Sequence, residues 1–274
     1  SIELIDDLAF PVPFQVISEL LAMPTERADE LRLWSQLLTQ SLEPTATLAD
    51  LDATEAALLQ MIPYLVEVIE QRRGEPGDDV LSGLIMVEDD GDTLSPAELI
   101  SFVVLLYVAG HETTVNLIGN GMLALLRNPD QLEAWRHDPS LDGSAVDELL
   151  RYDGPVQHTV RVAMEPTTFD GAHGEAVVVE PGRTILTVLG AANHDPAVFD
   201  DPHRLWLGRP NAGKHMAFSA GIHYCLGASL AKLEASIALT RFIRRFDAIE
   251  LAGEPHFRDR ITIRGVDRLP LTVR

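Results

Sequence analysis

The chain has 274 residues, of which 46% are hydrophobic and 23% are charged, as in ordinary globular proteins and unlike disordered or fibrous chains. Its formal net charge of -21 argues against nucleic acid or an anionic membrane surface as a partner. A single cysteine excludes an internal disulfide and a metal site built from several thiolates. No signal peptide or transmembrane run is recognisable, so we expect a cytoplasmic protein without a membrane anchor.

The hydrophobic pattern predicts mostly helices, with a few short strands in the second half of the chain. The predicted helices cover residues 12–21, 25–39 (capped by Thr25), 48–73, 96–126, 130–137, 144–152 and 228–242. The predicted strands cover residues 160–163, 176–179 and 184–189, and residues 260–263 with 270–274 suggest a terminal hairpin. No repeat, low-complexity tract or linker interrupts this pattern, which indicates one domain over residues 1–274.

The longest apolar segment begins with Ser95, Pro96 and Glu98, the signature of a capped helix start. It is apolar nearly all round, which predicts a buried core helix. The apolar run is interrupted by Ser101, Gly110, His111 and Glu112, so it is not a membrane span.

Glu112 and Thr113 lie in the middle of that helix, where a polar pair is costly to bury without a purpose. The alternative is a satisfied core pair, with the threonine bonded to a carbonyl one turn earlier. Zinc chemistry of the His-Glu-x-x-His type is excluded because the last position is Val115.

Glu148 and Arg151 are spaced to share one face of a helix and to pair. Read alone, such a pair is an ordinary surface salt bridge of little energetic value.

The only cysteine, Cys225, lies in the pattern Phe-x-x-Gly-x-x-x-Cys-x-Gly, formed by Phe218, Gly221, Cys225 and Gly227, and a predicted helix follows it. A sulfur at a helix N-terminus meets orphan N–H groups and the positive end of the dipole, which favour the thiolate. The glycines let the backbone approach a flat partner closely, and Phe218 adds a ring beside it. The alternative is a buried, inert cysteine in a turn. The pattern favours a thiolate ligand to haem iron.

Charge is unevenly distributed along the chain. Residues 1–100 hold 21 acids and 4 Lys or Arg, a net of -17, whereas residues 211–246 hold five bases and the single acid Glu234, a net of +4. The five bases are Lys214, Lys232, Arg241, Arg244 and Arg245. The dipole of the predicted helix accounts for the three arginines at its end, but not for the two lysines.

These motifs together resemble the cytochrome P-450 family of haem-thiolate monooxygenases, and the resemblance runs over nearly the whole sequence. It implies a mainly α fold with a small β region. It also implies a cysteine-ligated haem b, with Cys225 as the axial ligand of the iron. The cofactor-binding residues that it implies are Cys225, Phe218, Gly221, Gly227, Ala109 and Gly110, with Arg161, His223 and, less strongly, His215 for the haem carboxylates.

The resemblance further assigns Thr113 and Glu112 to holding oxygen and relaying protons, with Ala109 and Gly110 leaving room for the oxygen. It makes Glu148, Arg151 and Arg209 a buried structural network that holds the loop leading to Cys225. The expected substrate-pocket residues are Leu105, Ala109, Val156 and Gln157.

The implied function is the insertion of one oxygen atom of O₂ into a small apolar organic substrate. Electrons would come from NAD(P)H through a ferredoxin-type partner and its reductase. The basic residues near Cys225 are the expected docking face for that acidic partner. A peroxygenase using H₂O₂ is less consistent with an intact Glu112–Thr113 pair.

Relatives of the soluble bacterial type are longer. The sequence matches a segment inside them and lacks their first sheet strands, their substrate-roofing loop and a helix that grips haem carboxylates. The alternative function is therefore a truncated, haem-binding or inactive remnant without turnover.

Overall fold

In the computed structural model, the described residues are 1–86, 88–89, 92–171 and 174–274. They form a helical body with small antiparallel sheets at its edges. The helices are α1 (Pro11–Leu20), α2 (Ala28–Gln40), α3 (Leu48–Gly74), α4 (Val80–Met86), α5 (Pro96–Arg127), α6 (Pro129–His137), α7 (Ala145–Asp153), α8 (Leu189–Ala192) and α9 (Ala228–Arg245).

The strands are two to four residues long and pair antiparallel. They are β1 (Ile2–Glu3), β2 (Glu88–Asp89), β3 (Asp92–Thr93), β4 (Thr159–Val162), β5 (Thr167–Asp170), β6 (Ala176–Val179), β7 (Thr184–Thr187), β8 (Ile249–Leu251), β9 (His256–Phe257), β10 (Val266–Arg268) and β11 (Pro270–Val273). Strand β11 lies between β1 and β8, and the other pairs are β2–β3, β4–β7, β5–β6 and β9–β10.

Helix α5 is the centre of the core, and it begins where the sequence predicts. The Ser95 side chain accepts from the N–H of Glu98, and the Glu98 carboxylate accepts from the N–H of Ser95 at 2.9 Å. This capping box satisfies two N–H groups that the first turn leaves without partners. Helix α3 begins with a second capping box, between Thr47 and Asp50.

Helices α1, α7 and α9 pack around α5. Phe14 of α1 contacts Tyr107 and His111 of α5 through edge-to-face rings, with centroids 6.0 and 5.8 Å apart. Among the described helices, α5 alone has the length and apolarity of a membrane span, but 56% of its most apolar 18-residue stretch is buried inside the protein. It therefore packs as a core helix, as the sequence predicted.

The predicted terminal hairpin is wrong. Residues 270–273 form β11, which pairs with β1 and β8, and residues 258–264 form a loop rather than a strand. The reason is Glu43, whose carboxylate accepts the backbone N–H groups of Ile261, Thr262 and Ile263. Because these donors bind a side chain, they are not available to a hairpin ladder.

One detail of the helix prediction is also wrong. Helix α2 begins at Ala28 rather than at Thr25, and its N-cap residue, Arg27, makes no side-chain capping bond. Pro63 lies inside α3, in agreement with the predicted helix over residues 48–73.

Candidate functional site

Cys225 lies in a tight loop directly before α9. Its backbone N–H donates to the carbonyl of Phe218 at 3.0 Å, so the loop folds back on itself and presents the thiol at its turn. Gly221 has a φ of 68°, a left-handed conformation that glycine adopts without a steric cost. A side chain at Gly221 or Gly227 would meet no atom within 4 Å, so the space over the loop is open to a bound group.

The residues next to the thiol expose apolar side chains to an unusual degree. Ile222 is 98% exposed and Leu226 is 84% exposed. The Phe218 ring packs beside the loop, with its centroid 6.4 Å from that of Tyr224. An open, apolar surface around one sulfur suits a large flat apolar ligand better than water.

The protonation of the thiol differs from the sequence-based expectation. Burial raises the pKa of Cys225, although the N–H of Gly227, which bonds the sulfur, acts in the opposite direction. The helix start therefore does not by itself make a thiolate of this cysteine. A metal ion would do so, because a coordinating thiol loses its proton outright.

One face of α5 forms a second open surface. Leu105, Ala109 and Thr113 are four residues apart, so they lie on the same side of the helix. Leu105 and Ala109 are exposed, and Thr113 is partly exposed. The Thr113 hydroxyl donates to the Ala109 carbonyl at 3.0 Å, one turn back along the helix.

The predicted role of Gly110 is not supported. A side chain there would come within 2.6 Å of the Ile17 side chain in α1, so this glycine permits close packing of two helices. It therefore faces α1 rather than the open face of α5.

Glu112 is held by residues from the far end of the chain. Its side chain is buried and forms a salt bridge with Arg258, and Arg260 lies 3.8 Å from the same carboxylate oxygen. No local pattern points to either arginine, since Arg258 lies 146 residues further along the chain than Glu112.

The three predicted network residues come together. The Glu148 carboxylate accepts from Arg151 at 2.7 and 2.8 Å and from Arg209 at 3.0 and 3.1 Å. All three side chains are 0–2% exposed. The N–H of Trp206 adds a further donor at 3.0 Å. Each charge in the cluster therefore has partners at hydrogen-bond distance.

The candidate donors for haem carboxylates differ in availability. Arg161 donates only to the carbonyl of its neighbour Val160, and His223 is exposed and makes no side-chain hydrogen bond within the described chain. His215 uses both ring nitrogens, one beside Asp147 at 3.3 Å and one accepting the N–H of Ala217 at 3.1 Å. His215 therefore has no free nitrogen for an external carboxylate.

The two predicted pocket residues after α7, Val156 and Gln157, form hydrogen bonds that connect neighbouring segments of the chain. Val156 forms an isolated bridge with Ile263. The Gln157 side-chain amide donates to the Gly154 carbonyl at 2.6 Å, and the backbone carbonyl of Gln157 accepts the N–H of Gly190 at 3.0 Å.

The basic residues of 211–246 are not all free. Lys232 pairs with Asp147 at 2.7 Å, and Arg244 pairs with Asp142 at 2.5 Å. In the described part of the chain, the remaining three are exposed and have no carboxylate partner. These three are Lys214, Arg241 and Arg245.

Comparison with known proteins identifies the family. A profile of the family described as Cytochrome P450 matches residues 143–260. Cytochrome P450 107B1 of Saccharopolyspora erythraea is 45% identical, over 99% of this chain and 65% of that protein. The Biotin biosynthesis cytochrome P450 of Bacillus subtilis is 38% identical, over 99% of this chain and 67% of that protein.

The fold agrees with these similarities. The crystal structure of P450BioI in complex with hexadec-9Z-enoic acid ligated acyl carrier protein matches with a TM-score of 0.92 and 38% identity, over 100% of this chain and 69% of that one. The chain belongs to the cytochrome P450 family, and the predicted family and fold class are confirmed. It spans about 65% of the length of the curated relatives that it matches.

Family members carry a cysteine-ligated haem b, and the residues present here fit that group. The fit rests on three observations of this chain. A single thiol stands in a loop with open space above it, apolar side chains surround it, and Arg161 and His223 have no carboxylate partner within the described residues. Cys225 would hold the iron, and the two basic residues are available to the haem carboxylates.

We expect Glu148→Ala to lower the free energy of unfolding by roughly 3–5 kcal/mol, because it leaves two buried guanidinium groups without their shared carboxylate. The measurement is the urea unfolding midpoint. Glu70→Ala is the matched control, since the pair that Glu70 forms with Arg73 is exposed and worth about 0–1 kcal/mol. Equal midpoints for the two variants would contradict the role of the network.

The stability of the protein should depend on pH through Glu234 of α9. Burial raises its pKa to about 7, and its Oε2 has no partner among the described residues. The folded state therefore holds a proton that the unfolded state releases, so stability falls as pH rises from about 4.5 to about 7. Glu234→Gln should stabilise the protein by roughly 2–3 kcal/mol at pH 8 and change little at pH 4.

Thermal unfolding at both pH values measures this effect, with the exposed Glu250→Gln as the control. A Glu234→Gln gain that is the same at pH 4 and pH 8 would show that Glu234 does not titrate in this range.

Proposed function

We propose that this chain acts as a haem-thiolate monooxygenase that inserts one oxygen atom of O₂ into an apolar organic substrate. The second oxygen atom leaves as water, and two electrons come from NAD(P)H through a redox partner. The observation that carries this proposal is Cys225, a single thiol in an open, glycine-flanked and apolar loop at the start of α9. The similarity to cytochrome P450 proteins supports the same reading. We propose the cytoplasm as its location.

The bound haem would supply the oxygen-activating chemistry, which a thiolate ligand favours by pushing electron density to the iron. The protein would contribute orientation, an apolar surface and protons. Leu105 and Ala109 present apolar area on the open face of α5, where they would contact the substrate. The Thr113 hydroxyl lies on the same face and can both donate and accept a hydrogen bond there.

Apolar substrates are supported by the same exposed surfaces. The P450BioI structure named above contains hexadec-9Z-enoic acid, a long apolar chain, ligated to an acyl carrier protein. We propose an apolar carbon chain or ring as the substrate class.

A second candidate function is haem binding without turnover. Leu233 and Ile237 of α9 are 57% and 46% exposed, and uncovered apolar area of this kind favours self-association over a stable closed site. A chain that binds haem and consumes no NAD(P)H in the presence of a working redox system would support this second function.

We expect the reduced protein with carbon monoxide to show a Soret band strongly red-shifted from that of a histidine-ligated haem. Cys225→Ala should abolish this band, because no other thiolate exists in the chain. Thr113→Ala is the matched control: it should keep the band, lower the product formed per NAD(P)H and raise peroxide release. An unshifted band in the unchanged protein would exclude thiolate ligation.

We propose that an acidic, ferredoxin-type protein docks on the face of Lys214, Arg241 and Arg245, whose charges have no acidic partner in the described chain. Glu234, the one acid of this segment, is buried, and burial raises its pKa to about 7, so it offsets these charges only above that pH. Encounter between opposite charges is fast at low salt and slows as salt screens the attraction.

Arg241→Glu should therefore slow electron delivery and flatten its salt dependence, and reversal of all three charges should do so more strongly. Lys232→Glu should have a smaller effect, since Asp147 already offsets that lysine. Stopped-flow reduction at several salt concentrations measures these rates, with the exposed Arg268→Glu in β10 as the control. A folded triple variant with unchanged rates would show that the partner docks elsewhere.

A further inference from the structure

Helix α3 carries a row of exposed apolar side chains on one face. The row, which we call the α3 stripe, consists of Leu48, Leu51, Leu59, Ile62 and Val66, each between 38% and 80% exposed. At about 100° per residue, these positions fall within a sector about 80° wide and extend along roughly 27 Å of the helix. Single exposed apolar residues are ordinary, whereas several on one helix face indicate a surface that binds another protein.

The fold of this chain does not use the α3 stripe. The buried residues of α3 are Thr54, Ala57, Met61, Tyr64, Leu65, Val68 and Ile69, and the helix packs against α2, α4 and α5. These residues lie on average about 120° around the helix from the stripe. The stripe also contains none of the residues that we assign to haem, oxygen or substrate. It is therefore a separate surface, and substitutions on it leave the core contacts of α3 in place.

Two charged residues, Glu55 and Arg73, lie in the same sector of α3 as the apolar row. Glu55 is exposed and makes no ion pair or side-chain hydrogen bond with another described residue. Arg73 forms one ion pair in the described part of the chain, with the exposed Glu70 at 3.4 Å. Such a pair is worth about 0–1 kcal/mol, so both charges are available to a partner.

A second copy of this chain complements the stripe in both apolar contacts and charge. In a dimer with two-fold symmetry, any contact from residue i to residue j occurs a second time from j to i. Ile62 and Val66 lie two positions on either side of position 64. Glu55 and Arg73 lie nine positions on either side of the same position.

Antiparallel packing of two α3 helices can therefore satisfy both sets of residues at once. The register that places Ile62 of each copy opposite Val66 of the other also places the acid of each stripe opposite the base of the other. Parallel packing would instead place Glu55 beside Glu55 and Arg73 beside Arg73. Helices that cross at about 20° remain in contact over several turns, so the apolar centre and the charged ends can be joined together.

We propose that the α3 stripe is the interface of a homodimer, in which two copies of α3 pack antiparallel in the register that aligns Glu55 with Arg73. The apolar side chains supply most of the free energy of association, and the two ion pairs fix direction and register. Each chain has a net charge of -21, which opposes association. At about 0.15 M salt the Debye length is about 8 Å, so charges far from the interface are screened while paired charges in contact still attract.

Sedimentation velocity of the 274-residue chain at about 0.15 M salt, over a range of concentrations, tests the dimer. Ile62→Glu should raise the dimer Kd about tenfold or more, because it places two carboxylates at the apolar centre. Leu233→Glu in α9, which replaces an exposed apolar residue outside the stripe, is the matched control and should change Kd less than about twofold.

Two results of this experiment would overturn the proposal. One is a chain that is monomeric at every concentration, which would leave the stripe to a different protein or to a segment outside residues 1–274. The other is a dimer that Leu233→Glu dissociates and Ile62→Glu does not, which would place the interface on α9.

Charge reversal tests the antiparallel register. Glu55→Arg and Arg73→Glu each place like charges opposite one another at both ends of the interface, and each should raise Kd roughly fivefold. The double variant restores opposite charges and should return Kd to within about twofold of the unchanged chain. The two positions are about 27 Å apart on one helix, so they compensate only across the dimer. A double variant as weak as the single ones would overturn the register.

Circular dichroism of each variant separates a lost interface from a lost fold, since the stripe variants should keep the helical content and the Tm of the unchanged chain. Should Ile62→Glu fail to fold, Val66→Gln is a milder change on the same row and should raise Kd about threefold or more. A folded Val66→Gln chain with an unchanged Kd would overturn the proposal.

Discussion

The Glu148 carboxylate, buried between Arg151 and Arg209, fixes the part of the chain that leads to the cysteine loop. The stretch 193–210 has no helix or strand, so its carbonyl groups need partners from elsewhere. Arg151 donates to the carbonyls of residues 193, 202 and 204, and Arg209 donates to those of residues 200, 201 and 204. One carboxylate thus holds two guanidinium groups that organise an otherwise irregular segment.

This order is transmitted toward Cys225 by single contacts. The Asn193 side chain accepts the N–H of Met216 at 2.6 Å, and His215 is held between Asp147 and the N–H of Ala217. The Phe218 carbonyl then accepts the N–H of Cys225. The thiol is therefore placed by a chain of hydrogen bonds that begins in α7, and it needs no regular element of its own.

Three buried acids show how the surroundings decide what a carboxylate does. Glu148 has two arginines at close range and serves structure, whereas Glu234 has no partner in the described chain and keeps its proton to about pH 7. Glu112 has one close arginine beside a solvent cleft. Because burial penalises the charged form of an acid and a nearby cation favours it, the partners that the fold supplies set the environment of each carboxylate.

The sequence alone determined the features that depend on local order. The start of α5 follows from its capping box, its burial from an apolar pattern, and the cysteine loop from the spacing of Phe218, Gly221, Cys225 and Gly227. These features need only neighbours within a few residues, so their chemistry can be read from the chain directly. The family and the fold class followed from the same motifs.

The tertiary structure alone decided which partners meet across long separations. It paired Glu112 with Arg258 and Lys232 with Asp147. It directed Gly110 toward Ile17 and placed β11 between β1 and β8 rather than in a hairpin. It also made burial outweigh the helix start at the Cys225 thiol. Burial and ion pairing depend on the packing of the whole chain, and no local pattern encodes which distant charge or strand will be adjacent.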